Sequence, residues 1–274
     1  MLVLSLFPGI GLLDMAFEQE GFTVVRGPDV LWGGDIRRFH PPSGIFDGVI
    51  GGPPCQSFSR LAIMTRSNGH EPTFGNLIPE FERCVGEAQP RWFLMENVKD
   101  APVACVHGYA TQTYLVNNRW FADDGLVGAE QNRKRRLSFG TSEGRPLEWD
   151  VALFEHNHVA GGDTSSDGGG VMRGRRPWTV TERMGRGGNL RDRWAKRIAP
   201  AVTAGHGGAP QKNIYVYSLE DACELQGLPR DFTEHMPFRK DAKLKAVANG
   251  VPLPLGRAIA RAVRRAMRYD DAHA

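Results

Sequence analysis

Leu2-Val-Leu-Ser-Leu-Phe7, followed by Pro8-Gly9-Ile10-Gly11 and then by Leu12 to Glu20, decides the fold class. A short apolar run, a glycine-bearing turn and a stretch with helical apolar spacing read as strand, turn and helix. The pattern repeats outward. Phe22 to Arg26 reads as a second strand, and Gly44 to Ile50 as a third that ends at Gly51-Gly52-Pro53-Pro54. Leu77 to Gly86 reads as a helix and Trp92 to Met95 as a buried strand, with further strands at Tyr114 to Val116 and Arg136 to Gly140. Strands alternating with helices predict an α/β fold, a doubly wound and mostly parallel sheet. Leu219 to Leu225 and the basic, amphipathic Pro254 to Met267 add helices near the end.

The texture changes after Gly140. The stretch 161–170 is Gly, Ser, Asp and Thr throughout, a flexible loop by composition. We therefore expect a catalytic and cofactor-binding domain over 1–140, a small recognition module over 141–196, and a return segment over 197–274 that completes the first domain.

With 274 residues and a formal charge of +3, composition alone points to an ordinary globular protein. The distribution of charge says more. Between Arg173 and Arg197 nine Lys or Arg face two acids, and Arg133-Lys134-Arg135-Arg136 forms a second knot. Such clusters suit a polyanion, although a solvated basic surface explains them equally well. The four cysteines contain no C-x-x-C pair, so neither a zinc site nor a disulfide framework is indicated, and no metal is expected. Reduced thiols fit a cytoplasmic setting. Met1 to Leu13 lacks a basic n-region and reads as a buried strand and turn, not a signal peptide. No apolar run is long enough to span a bilayer.

Two stretches carry chemistry. Gly51-Gly-Pro-Pro-Cys-Gln-Ser-Phe-Ser59 follows a strand and sets Cys55 on a proline-braced turn. In an open α/β sheet the carboxyl ends of the strands are where ligands bind. A free cysteine is most often a small buried hydrophobe; the two prolines tilt the reading toward a positioned nucleophile. Met95-Glu96-Asn97-Val98 ends an apolar run, where a buried carboxyl could stay protonated and act as a donor. Gln131-Asn-Arg-Lys-Arg135 is basic and by itself reads as surface.

In order, these elements resemble the motifs of the DNA cytosine-C5 methyltransferases: a glycine turn, Pro-Pro-Cys, Glu-Asn-Val and Gln-x-Arg-x-Arg. Arg197-Ile-Ala-Pro-Ala-Val-Thr203, Leu219 to Phe232 and Ala248-Asn-Gly-Val-Pro252 resemble further family motifs. The resemblance covers nearly the whole chain except about 141–196. It implies a class I, Rossmann-like methyltransferase that takes S-adenosylmethionine and acts on double-stranded DNA. Cys55 would add to C6 of a flipped cytosine, and Glu96 would engage N3. Arg133 and Arg135 would hold the base and support Cys55. Phe7, Gly9, Ile10 and Gly11 would form the turn against the cofactor, and Asp29 would meet the ribose hydroxyls. Asp35 and Ile36 would meet the adenine; Pro54, Leu77, Asn249 and Val251 would line the remainder. Asp29 and Asp35 read equally as acids capping a turn. Gln56, Ser59, Arg60, Arg66, Gln131, Arg173, Arg175 and Arg176 are the expected nucleic-acid contacts. The segment 60–76 is expected to close over DNA as a loop.

Ser5 and Pro8 stand where the family has Asp and Ala. Five residues separate Asp29 from Asp35, where the family fits a helix and a strand, so that helix is expected to be missing. The resemblance also implies a monomer of a prokaryotic or viral modification system, with any restriction endonuclease a separate chain. Two other readings stay open: the same chemistry on transfer RNA, and a non-catalytic DNA-binding relative.

Overall fold

The computed structural model describes residues 1–54, 75–121, 133–149 and 218–271. By packing they fall into two units. The first takes residues 1–116, 134–149 and 259 onward; the second takes 117–133 and 150–258.

The first unit is built on a six-stranded sheet. Its strands are β1 (Leu2–Leu6), β2 (Thr23–Arg26), β3 (Gly48–Gly51), β4 (Trp92–Val98), β5 (Ala110–Asn117) and β6 (Lys134–Thr141). Their spatial order is β2-β1-β3-β4-β6-β5. β1, β2, β3 and β4 run parallel to their neighbours, and β6 enters antiparallel beside β4. The expected mostly parallel α/β sheet is thus what the chain forms. The chain leaves β1 toward β2 on one side and returns to place β3 on the other, so the order reverses between β1 and β3. Register aligns Leu6 with Gly51 and Gly51 with Met95, which brings the carboxyl ends of β1 and β3 to one edge, beside β4. That edge, at the reversal, is where doubly wound sheets bind ligands.

Helix α1 (Leu12–Gln19) buries Leu12, Leu13, Ala16 and Phe17, an i, i+4 stripe. Phe17 packs on Phe22 at 4.9 Å between ring centres and on Trp92 at 6.3 Å. Helix α2 (Ile78–Ala88) carries proline in its first turn, where a missing amide costs nothing. It buries Ile78, Phe81, Cys84, Val85 and Ala88 against the other side of the sheet's core. The glycines within the strands are spatial necessities. A Cβ on Gly48 would lie 2.2 Å from the Trp92 ring, and one on Gly140 would lie 2.2 Å from Phe93. The expected helix between Asp29 and Asp35 is indeed absent; short 3-10 turns occupy Val30–Trp32 and Ile36–Arg38 instead.

Three more helices follow: α3 (Leu219–Leu225), α4 (Lys240–Asn249) and α5 (Leu253–Asp271). Ser218 caps α3 by accepting the Asp221 amide at 3.0 Å. In the second unit, α3 and α4 meet through Gln226, whose side chain donates to the Val247 carbonyl at 2.7 Å. The part of α5 from Ile259 belongs to the first unit. There Arg261 pairs with Glu20 at 3.2 Å, and Arg264 donates to the Glu20 carbonyl at 2.6 Å. No helix among the described residues is long and apolar enough to cross a membrane.

Candidate active site

β4 extends beyond β3, whose last paired residue, Gly51, faces Met95. Glu96 therefore emerges past the end of β3, beside the turn that follows it. A Cβ placed on Gly52 would sit 3.5 Å from Glu96 Oε2, so the carboxylate lies over that turn. Glu96 is buried. On the other side β6 is its antiparallel neighbour, with Glu96 opposite Leu137 and Val98 opposite Arg135. That register puts Arg135 on the diagonal from Glu96, within reach of a long side chain. Arg135 Nε lies 2.6 Å from Glu96 Oε1, with only 15% and 9% of the two side chains exposed. Glu96 is thus held by a guanidinium rather than standing as the lone buried acid that the sequence suggested.

Asn97 carries the second tie. Its Nδ2 donates to the Pro53 carbonyl at 3.1 Å, and its Oδ1 accepts the Val98 amide at 2.8 Å. Two prolines leave the turn with few amides of its own, so a buried side chain anchors it through a carbonyl. The sequence alone gives Asn97 no role. Its position after a strand-end acid, opposite a proline pair, was the available signal.

The turn after β1 is shaped for close approach. Phe7 and Gly9 both have positive φ, 57° and 56°, as does Gly11 at 81°. Among the described residues, a Cβ on Gly9 would meet nothing within 4 Å. At Gly11 the neighbour is the Arg26 guanidinium, 3.2 Å from the position a Cβ would take. Arg26 Nε in turn holds Asp14 at 2.9 Å, and Ser5 Oγ donates to the same carboxylate at 2.5 Å. Ser5 thus serves a buried acid on α1. Burial pushes the Asp14 carboxyl above its ordinary value, against the opposing pull of Ser5 and Arg26.

Asp29 and Asp35 cap the two 3-10 turns. Asp29 accepts the Leu31 amide at 2.8 Å and, with its other oxygen, the Gly9 amide at 2.8 Å. Asp35 accepts the Arg37 amide at 3.1 Å and pairs with the Arg37 guanidinium, which pulls its carboxyl below the ordinary value. Each carboxylate keeps lone pairs beyond these contacts. Ile36 lies in the apolar cluster of α2 and the sheet, and Phe7 and Leu77 pack against that same cluster. The structure thereby places Phe7, Ile36 and Leu77 in or against one apolar cluster. Pro54 is half-buried at the end of the described turn.

In the second unit, Arg133 is buried and donates to the carbonyls of Ala248, at 2.9 Å, and Gly250, at 3.1 Å. It therefore braces the turn that carries Asn249, which is exposed, and Val251, which is buried. Gln226 holds the same turn, accepting Leu253 N at 2.8 Å on its backbone carbonyl. Sequence reading passed over Gln226; a buried glutamine right after a helix end was the signal. Cys55, Gln56, Ser59, Arg60, Arg66, Gln131, Arg173, Arg175 and Arg176 lie outside the described residues, as does most of 60–76. Among the described residues no His, Cys, Asp and Glu cluster is arranged to hold a metal.

Residues 33–104, which include the Gly52–Pro54 turn and Glu96, match the family of C-5 cytosine-specific DNA methylases. The chain is 34% identical over 134 residues to the type II methyltransferase M.NgoPII of Neisseria gonorrhoeae, covering 42% of this chain and 38% of that protein. It is 37% identical over 118 residues to M.FnuDI of Fusobacterium nucleatum, covering 36% and 33%. The chain thus spans between about a third and about a half of the length of the curated relatives it matches. A solved Schizosaccharomyces pombe Dnmt2 methyltransferase superposes with a TM-score of 0.57 at 13% identity, over 97% of this chain and 98% of the other, which shows a shared fold. Through residues 33–104, which carry Glu96 of the Glu96–Arg135 pair, this chain is similar to the C-5 cytosine-specific DNA methylases.

Proposed function

We propose that the protein is a DNA (cytosine-5-)-methyltransferase. The observation that carries this reading is the carboxylate of Glu96 lying over the turn that leads into Cys55, while Arg135 holds it from behind. That turn and the glycine turn after β1 leave the sheet on adjacent strands.

S-adenosylmethionine is the ligand this reading gives the glycine turn; among the described residues nothing lies within 4 Å of a Cβ at Gly9, and Phe7 of the same turn packs against the apolar cluster that holds Ile36 and is flanked by Leu77. Phe7, Gly9, Ile10 and Gly11 would take the backbone side, Asp29 the ribose hydroxyls, and Asp35 with Ile36 the adenine. Pro54, Leu77, Asn249 and Val251 would complete the lining. When bound, the cofactor supplies a methyl group as an electrophile. Cytosine C5 is too weak a nucleophile to take it unaided. Cys55, as a thiolate, adds to C6 and pushes electron density toward C5. Glu96 would hydrogen-bond, or hand a proton, to N3, where the negative charge of that addition collects, and so lower the barrier. Arg135 fixes the orientation of Glu96, and Arg133 secures the turn around Asn249. Loss of the C5 proton and departure of Cys55 finish the cycle.

The target atoms lie inside a duplex stack, so the base is flipped out at a cost of roughly a few kcal/mol. Gln56, Ser59, Arg60, Arg66 and Gln131 would contact the opened DNA, and Arg173, Arg175 and Arg176 its neighbouring phosphates. We assign 1–140 to catalysis and cofactor binding, 141–196 to target recognition, and 197–274 to the return into the catalytic domain. The protein would act as a monomer in the cytoplasm of a prokaryotic or virus-infected cell, with any restriction endonuclease a separate chain.

Trapping tests the reading. Duplex DNA bearing 5-fluorocytosine at the target should form a denaturation-resistant adduct with the wild-type protein and cofactor, and Cys55→Ser should form none. Bisulfite sequencing of DNA from expressing cells supplies the target site for this substrate. Methylation of transfer RNA alone would replace DNA as the substrate. A wild-type protein that binds cofactor and DNA but yields no adduct would be a binding relative.

A further inference from the structure

We propose that Asp29 and Trp32 form a two-point clamp on Gly9 that holds the turn after β1 in its ligand-ready shape, which makes Trp32 a positioning residue. Both polar groups of Gly9 are engaged from the same short segment. The amide donates to Asp29 Oδ2 at 2.8 Å. The carbonyl accepts Trp32 Nε1 at 2.7 Å. The clamp is itself closed on its own backbone, because Trp32 N and Gly34 N both donate to the Asp29 carbonyl, at 3.0 and 2.9 Å. Gly34 fits only as glycine there, since a Cβ would lie 2.8 Å from Pro28.

The turn needs such support. Phe7 is a side-chain-bearing residue at φ 57°, a conformation that costs on the order of 1–3 kcal/mol and persists only where surroundings impose it. Gly11 N donates to the Pro8 carbonyl at 2.8 Å, which closes the turn from within. Asp29 and Trp32 close it from outside. An indole 58% exposed is a poor contributor to a core, yet its ring nitrogen points back into the protein. That combination fits a side chain kept for the bond it makes. With no helix between Asp29 and Asp35, this segment takes over the support of the turn.

The inference rests on the cofactor reading above, so its test has one arm that needs no cofactor. Trp32→Phe keeps the ring and deletes the donor. In the protein alone, hydrogen exchange of the Gly9 and Gly11 amides should quicken by about fivefold, the scale of one hydrogen bond. The Kd for S-adenosylmethionine should rise by a similar factor, while kcat at saturating cofactor, the KM for DNA and Tm stay near wild type. Asp29→Asn turns one acceptor into a donor facing an amide and should quicken the same exchange further. Exchange within twofold of wild type in Trp32→Phe would overturn the clamp. So would a loss of kcat and Tm in step with the loss of affinity. A wild-type protein that binds no S-adenosylmethionine would instead overturn the proposed function, and the exchange arm tells the two failures apart.

Discussion

At the scale of single residues, the Glu96–Arg135 pair separates two kinds of loss. Removing one partner of a buried ion pair leaves the other charge stranded, typically at a cost of about 3–5 kcal/mol. Arg135→Ala should therefore destabilise the fold by about 3 kcal/mol in urea unfolding, and the double variant with Glu96→Gln should recover much of it. Glu96→Gln alone preserves shape and size. It still leaves the Arg135 charge without its counter-ion, so it should also lower stability by about 3 kcal/mol, and it should lower kcat by about 10²–10⁴, the range for a positioned acid or base. Single losses that simply add in the double variant would show that the two side chains act separately. Asn97 belongs at the same scale, since it fixes the Pro53 carbonyl rather than touching substrate.

At the scale of elements, the strand glycines make a direct prediction. Gly48→Ala would drive a methyl group to within 2.2 Å of the Trp92 ring, which is fully buried among Phe17, Phe22 and Phe139. Overpacking of this kind costs about 1–3 kcal/mol or more, and urea unfolding should show it. Gly86→Ala makes a matched control, because nothing lies within 4 Å of its Cβ position. The elements themselves were largely legible in the sequence. β1 and β3 announce themselves by apolar runs that stop at proline or glycine, β4 by one that stops at Glu96 and α1 by its helical apolar spacing, and the missing helix after β2 was legible from the short Asp29–Asp35 spacing set against the family it resembles. The sense of β6 was not, because antiparallel entry depends on where the chain returns rather than on local pattern. Long-range ties were equally hidden. Arg133 reads in sequence as one more charge in a basic knot, yet it is buried on carbonyls more than a hundred residues away. Trp32 reads as a stray aromatic, and only the fold puts its nitrogen against Gly9. Glu96 was placed correctly at a strand end, but its ion pair required the register of β6.

At the scale of the whole molecule, Asp14 links stability to pH. It joins β1 through Ser5 and the end of β2 through Arg26. Its carboxyl is raised from 3.8, chiefly by desolvation, so the folded protein holds that proton more firmly than the unfolded chain does. Above 3.8 the unfolded chain ionises first, and the native state then binds more protons. Stability from this group therefore falls as pH rises through the window between 3.8 and the folded value. Urea midpoints of the wild type, minus those of Asp14→Asn, should decline with rising pH across that window and level off below it. A difference that grows with pH would reverse the assignment.

The first unit is stitched from three separated stretches, the last beginning at Ile259. On a ribosome, Glu20 at the end of α1 emerges more than two hundred residues before Arg261 and Arg264 are made. The sheet must therefore wait, its first helix only half fastened, while the entire second unit is translated. A nascent chain halted short of residue 259 should be cut by protease near α1, and the same site should become resistant once the last stretch is released.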